Sequence, residues 1–170
     1  MFELLVFGLA HPLQCGAASC TQGSVAAYRE EIRSQCVKHS IQRIAEEMCE
    51  DGRTFHGVAT TVAFELAAEL ELAHQDLDLS HAERAALSCN DSPLLTSIMS
   101  CPQPDGGARF REALGIVTDE VRERVWVMRL LVEKTWPVLF LCGADHVQPV
   151  RRLWEGLGLP AAVVHRDYVP

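Results

Sequence analysis

Two stretches of this chain carry the same phrase, an apolar run closing on Gly-x-x-His: Leu4-Leu5-Val6-Phe7-Gly8-Leu9-Ala10-His11, and later Val138-Leu139-Phe140-Leu141-Cys142-Gly143-Ala144-Asp145-His146. An imidazole exchanges a proton near neutral pH and ligates transition metals readily, so a repeated histidine in one local context points to acid–base or metal chemistry. Taken singly, each is equally a capped or core-satisfying ring. Asp145, beside His146, either orients that ring or only shapes the turn.

Carboxylates accompany them. Glu46 and Glu47 close the short run that starts at Ile41. One of the two is expected to point toward the histidines, completing a His/His/Glu metal set or serving as the base for a water, and the other to face solvent or a helix. A solvated acidic turn is the alternative. His74 brings a further imidazole with Asp76 and Asp78 close behind, although aspartates there serve equally well as turn formers and caps. Arg122, Trp126 and Arg129 share one helical face with Arg124 turned away from it, so an arginine there either holds an anionic group or locks a glutamate in place. Exposed Glu-Arg pairing accounts for the same residues at even odds. His39, His56, His81 and His165 lack any such context.

The seven cysteines, at 15, 20, 36, 49, 89, 101 and 142, are odd in number and nowhere take the C-x2-C spacing of a structural zinc site. They read as free thiols in a reducing cytosol. Cys142 is expected inside a strand, and neither Cys15 nor Cys20 has a histidine placed to activate it.

These groups need a scaffold, and the hydrophobic pattern supplies one. Residues 4–9 and 138–142 are continuous apolar runs of the kind that fill a buried parallel strand. Shorter strands are expected at 41–46, 71–74 and 161–165. Between them, helices are expected over 23–38, 57–70, from the Ser80-His81-Ala82-Glu83 capping box, from a Thr118 cap to about 134, and over 149–157. Residues 88–109, punctuated by Asn-Asp-Ser-Pro, Cys-Pro-Gln-Pro and Asp-Gly-Gly, read as a long loop of the kind that forms lids. Alternation of strand and helix predicts one three-layer α/β domain over 1–170, with a mostly parallel sheet of about five strands flanked by helices. In such a sheet both Gly-x-x-His turns arrive at the carboxyl ends of strands, where open α/β folds bind ligands.

With 170 residues, 48% of them hydrophobic, one self-sufficient core is expected. The net charge of -8 opposes the counterion release that drives nucleic-acid binding. The apolar start lacks a basic n-region and breaks at Gly8 and Pro12, unlike a secretory signal, and no run reaches membrane-spanning length. A cytoplasmic protein without nucleic-acid or membrane partners is the expectation, with a second copy of the chain kept open as a partner.

In this order, the strings Phe7-Gly8-Leu9-Ala10-His11, Ile44-Ala45-Glu46-Glu47, Arg122-Glu123-Arg124-Val125-Trp126 and Leu141-Cys142-Gly143-Ala144-Asp145-His146 resemble a divergent superfamily. It groups the TraB and TIKI proteins with the haem-uptake protein ChaN and the erythromycin esterases. The resemblance implies an α/β domain whose glutamate pair and histidines form a hydrolytic or metal-binding centre, with His11, Glu46 or Glu47, Arg122 or Arg124, and His146 in the site.

The resulting expectation is a metal-dependent hydrolase of a small-molecule or peptide substrate. His11, Glu46 and His146, with His74, would hold zinc or manganese; Glu47 would be the general base, and Arg122 would steady the oxyanion. Gly8, Gly143, Asp145 and Arg124 are the expected ligand-binding residues. Two alternatives stand beside it. One is a non-catalytic domain of the same fold holding a small anionic or nucleotide-like ligand, and the other is an interaction module whose site has decayed.

Overall fold

The computed structural model describes residues 3–16, 20–87 and 107–170, with side chains in the last stretch from residue 118 onward. The expected long loop falls almost wholly on 88–106, outside the described residues. A five-stranded sheet runs through the centre. Its strands are β1 (Leu4–Leu9), β2 (Arg43–Glu46), β3 (Ala73–Asp76), β4 (Val138–Gly143) and β5 (Ala161–Tyr168), in the spatial order β3-β2-β4-β1-β5. Every neighbouring pair is parallel. The helices are α1 (His11–Gln14), α2 (Gln22–Lys38), α3 (Glu50–His56), α4 (Val62–Glu69), α5 (His81–Ala86), α6 (Gly107–Val132) and α7 (Val147–Gly156); a 3-10 turn, Ala144–His146, precedes α7.

Strict alternation along the strands divides the core into two layers. Leu5, Phe7, Ile44, Leu139 and Leu141 face one side and pack against Tyr28 and Ile32 of α2 and Val62 and Leu66 of α4. Leu4, Val6, Ala45, Phe140 and Cys142 face the other, against Trp126 and Leu130 of α6 and Val150 and Trp154 of α7. Burial on both faces explains why β1 and β4 read as unbroken apolar runs. At about 1.5–3 kcal/mol for each fully buried aliphatic or Phe side chain, these two strands anchor the fold.

β1 and β4 lie side by side in register, Leu5 opposite Leu139 and Gly8 opposite Cys142. The connection from β1 packs α2 on the first face, whereas that from β4 packs α7 on the second. Neighbouring strands whose connections leave on opposite faces open a crevice at their carboxyl ends. Both histidine turns end there.

The register also separates the two glycines, because Gly143 lies opposite Leu9 rather than Gly8. A Cβ on Gly8 would sit 2.1 Å from the Arg166 carbonyl oxygen and 2.5 Å from a Val147 methyl. Gly8 therefore lets β5 approach β1, where their pairing register shifts. The structure thus places Gly8 against β5 and Val147, and not among the residues that line the cleft.

Several boundaries differ from the expectation. The helix expected over 57–70 starts five residues later, as α4: Gly57, at φ 67°, closes α3, a helix not expected from the sequence, and Thr61 caps α4 by accepting from the Phe64 N–H. α6 begins at Gly107, so Thr118 lies inside the helix rather than at its start, and Asp119 accepts from Arg122 one turn on. β3 starts two residues later than expected, placing His74 inside the strand and making Asp76 its last residue. The Ser80–Glu83 capping box forms as expected. Among the described residues, no helix is long and apolar enough to cross a membrane.

Candidate functional site

Four adjacent strands deliver side chains to one cleft of about 460 Å³ at the carboxyl ends of the sheet: His11 after β1, His146 after β4, Glu47 after β2 and Asp78 after β3. His11 opens α1, whose first turn includes Pro12; His146 ends the 3-10 turn and precedes α7. Their Nε2 atoms each lie 3.6 Å from Glu47 Oε1. The other ring nitrogens are tethered away from the cleft, His11 Nδ1 to Gln14 Oε1 at 3.2 Å and His146 Nδ1 to Glu123 Oε1 at 2.8 Å. A hypothetical Cβ on Gly143 lies within 3.3–3.4 Å of His146, Glu47 and His11, so this glycine keeps the floor of the cleft open.

Glu47 is buried, and both of its oxygens are engaged. Arg122 Nη2 donates to Oε1 at 2.6 Å and the Gly143 N–H donates to Oε2 at 2.8 Å. Arg122 extends its remaining donors to Asp78 and Asp119 at 3.1–3.2 Å, while its guanidinium stacks 4.9 Å from the Trp126 ring centre. Asp78 also accepts from Arg84 and from the Trp126 indole N–H. Burial would push the Asp78 carboxyl up, but the charge and hydrogen bonds of Arg122, helped by Arg84, bring it below the ordinary aspartate range. Arg122 thus serves as a lock on two buried carboxylates, with four of its five N–H donors directed at Glu47, Asp78 and Asp119.

His146 is pulled in two directions. Burial disfavours its charged form, yet the Glu123 hydrogen bond and the nearby Glu47 charge outweigh that cost and raise its pKa above the ordinary imidazole value. Trp126 stacks edge-on at 5.0 Å and holds the ring plane.

Glu46 does not face this cleft. Period-two alternation sends it to the opposite face of the sheet, fully buried, where Oε2 accepts from Gln14 Nε2 at 2.8 Å. Its Oε1 accepts from the Thr61 hydroxyl and meets His74 Nε2 at 2.7 Å. Neither glutamate faces solvent; of the two placements expected for the second carboxylate, solvent or a helix, Glu46 takes the one against a helix layer, beside the Thr61 cap of α4. The expected His11, Glu46, His146 and His74 set is thereby split in two, with Glu47 between the Gly-x-x-His rings and His74 behind with Glu46.

The donor types of the cleft suit zinc or manganese, but their arrangement does not close around one ion. A tetrahedral ion with ligands near 2.0 Å holds donors roughly 3.3 Å apart. Each imidazole approaches Glu47 at that scale, yet His11, His146 and Glu47 do not form a group with all donors within 4.8 Å of one another; among the described residues only Glu46, His74 and Asp76 do. The Arg122 cation also occupies the Glu47 oxygen that would bridge them. The cleft residues therefore do not fit a single resident cation.

Thiol chemistry is disfavoured. Burial pushes Cys15 up to about 11 and Cys36 up to about 12, and lifts Cys142 well above the ordinary thiol value. Arg124 is exposed on the outer side of α6, near Glu120 and Arg152 and outside the cleft, and Asp145 is exposed beside its turn while Glu123 takes the place of His146's partner. Sequence reasoning missed Gln14, Thr61 and Glu123. Gln14 stands three residues after His11, a spacing that brings two side chains together on a helical turn, whereas Glu123 and Thr61 carry no local sign of their long-range partners. His56 and His81, set aside from the sequence, line the cleft mouth with Phe55. Comparison with protein-family models, curated proteins and solved structures finds no match to this chain.

Proposed function

We propose that this chain is a hydrolase of small acyl esters or amides, working by general acid–base catalysis between its two Gly-x-x-His histidines. The observation that carries the reading is the convergence of both Nε2 atoms on one Glu47 oxygen, 3.6 Å from each, with both Nδ1 atoms tethered elsewhere. In this scheme His11 Nε2 takes a proton from water as the water oxygen bonds to the substrate carbonyl carbon. The carbonyl electron pair then returns, the bond to the leaving group breaks, and the leaving oxygen or nitrogen takes its proton from His146 Nε2. The raised pKa of His146 suits the acid, since more of it is protonated near neutral pH. Glu47, fixed by Arg122, favours positive charge on His146 and replaces the free general base expected from sequence. A cleft of about 460 Å³ suits a small molecule, and exposed Phe55 at its mouth offers an apolar face to an acyl group.

The test is a panel of small esters, amides and dipeptides turned over by the full chain, with metal content measured in the same preparation. Turnover that falls about 10²-fold or more in both His11→Ala and His146→Ala, with melting temperatures retained, supports the reading. Absence of turnover across the panel overturns it, as does turnover that survives both substitutions. Stoichiometric zinc or manganese lost with either histidine overturns the metal-free route.

A further inference from the structure

The back of His11 is held by a chain of hydrogen bonds whose donors and acceptors can be assigned in turn. Gln14, fully buried, directs Nε2 at Glu46 Oε2, 2.8 Å away, and also toward the Glu47 backbone carbonyl at 3.4 Å. A backbone carbonyl only accepts, so that end of the Gln14 side chain must be its NH2 group. Its other end, Oε1, then faces His11 Nδ1 at 3.2 Å. An amide oxygen cannot donate, so the proton in that bond belongs to His11 Nδ1. In a neutral imidazole the remaining nitrogen is bare.

We infer that Gln14, anchored on the buried carboxyl group of Glu46, is a positioning residue that holds neutral His11 as its Nδ1–H tautomer and keeps the Nε2 lone pair aimed into the cleft. Neither residue touches the space between the two histidines. Glu46 is in turn held by the Thr61 hydroxyl and His74 on its other oxygen, so the anchor cannot rotate to release Gln14. The role assigns a use to a buried glutamate that the acid–base scheme leaves idle. Its value for catalysis rests on reading His11 as the base, but the tautomer itself does not.

Long-range 1H–15N correlation on the 15N-histidine-labelled full chain tests this at pH about 8.5, where an ordinary imidazole is neutral. Wild-type His11 is expected to show a protonated Nδ1 and a bare Nε2. In Glu46→Gln, the new amide oxygen stays with Thr61 and His74 while its NH2 turns to Gln14. Gln14 must then flip, present its own NH2 to His11 Nδ1, and drive the ring to the Nε2–H tautomer. Gln14→Met removes the hydrogen bond and returns His11 to the tautomer mixture of a free imidazole. Wild-type His11 found as Nε2–H overturns the inference, and so does an Nδ1–H tautomer that persists in both variants. The wild-type measurement decides even if a variant fails to fold. Because no substrate is present, a confirmed tautomer in a chain without turnover defeats only the hydrolase reading. With turnover, Glu46→Gln is expected to lower kcat about 10²-fold at unchanged KM; an unchanged kcat overturns the positioning role.

Discussion

Replacing Arg122 with Met removes a buried cation while nearly preserving the volume that packs on Trp126. Two buried carboxylates lose their main partner: Glu47, with a side chain 1% exposed, and Asp78, 8% exposed. Breaking a buried ion pair from one side costs about 3–5 kcal/mol, because the stranded charge stays out of water. Glu47 retains the Gly143 N–H, and Asp78 retains Arg84 and the Trp126 indole, so about 3 kcal/mol is the expected loss. For a chain of this size that lowers the melting temperature by about 6–12 °C. The pH dependence has a definite sign. Burial pushes Asp78 up, but the stronger influence of Arg122 and Arg84 leaves its folded-state pKa below the unfolded value. The stabilisation is therefore complete above the unfolded aspartate pKa of about 3.9 and fades as pH falls through the lower folded value. Calorimetry of wild type and Arg122→Met should show the full gap at pH 7 and a narrowing gap below about pH 4. A drop of less than about 2 °C at pH 7, or a gap that stays constant into acid, would refute the account of Arg122 as a lock on two carboxylates.

The two glycines should respond differently to alanine. Gly8→Ala drives a methyl into the Arg166 carbonyl at 2.1 Å and should cost about 3 kcal/mol or more in urea unfolding; a wild-type midpoint would contradict that packing. Gly143→Ala meets its neighbours only at 3.3–3.4 Å, so it should fold while losing turnover through the methyl added between the two rings. Glu123→Gln removes the charge that outweighs burial at His146, and NMR titration of that ring should show its pKa falling relative to wild type; a rise or no change would count against the assignment. Peptide mapping after brief thiol labelling should find Cys142, Cys36 and Cys15 unmodified in the folded chain, since burial raises all three. Rapid labelling of Cys142 would place it outside the sheet core.

The parts of the fold written as continuous or alternating apolar runs were legible in the sequence. Leu4 to Phe7 and Val138 to Leu141 are buried on both faces, so their composition announces a central parallel strand, and the parallel five-stranded sheet with its two helix layers follows that pattern. Boundaries were less legible where one residue type serves two purposes. Thr118-Asp119-Glu120 has the composition of a helix start but lies within α6, while Gly57, expected as the first residue of a helix, instead closes the one before it. α3 had signals available, with Glu50 and Asp51 in its first turn, Arg53 and His56 in its last, and Gly57 behind. In the site, the meeting of His11 and His146 depends on strand adjacency, which the repeated phrase made inferable. Which glutamate stands between them depends on where the β2 pleat begins, and four residues are too few to fix that phase from sequence.

That phase gives the adjacent acids their separate uses. Consecutive residues at the end of a strand face opposite sides of the sheet, so Glu46 and Glu47 cannot share one ligand-facing surface without a break in the backbone. Here β2 ends at Glu46 and the backbone bends at Glu47, whose N–H still pairs with the Leu141 carbonyl, and the pair brackets His11: Glu47 stands before its Nε2, and Glu46 stands behind its Nδ1 through Gln14. A carboxylate lies in front of the ring and an amide behind it, the amide being the partner from which the Nδ1–H tautomer was inferred. His146 has only the first of these arrangements in common, because its Nδ1 partner is the carboxylate of Glu123 rather than an amide. The Glu123 carboxylate raises the pKa of His146, whereas the partner behind His11 is a neutral amide, so the same phrase delivers two histidines with chemically different partners. The asymmetry between the two rings thus comes from residues outside the repeated motif.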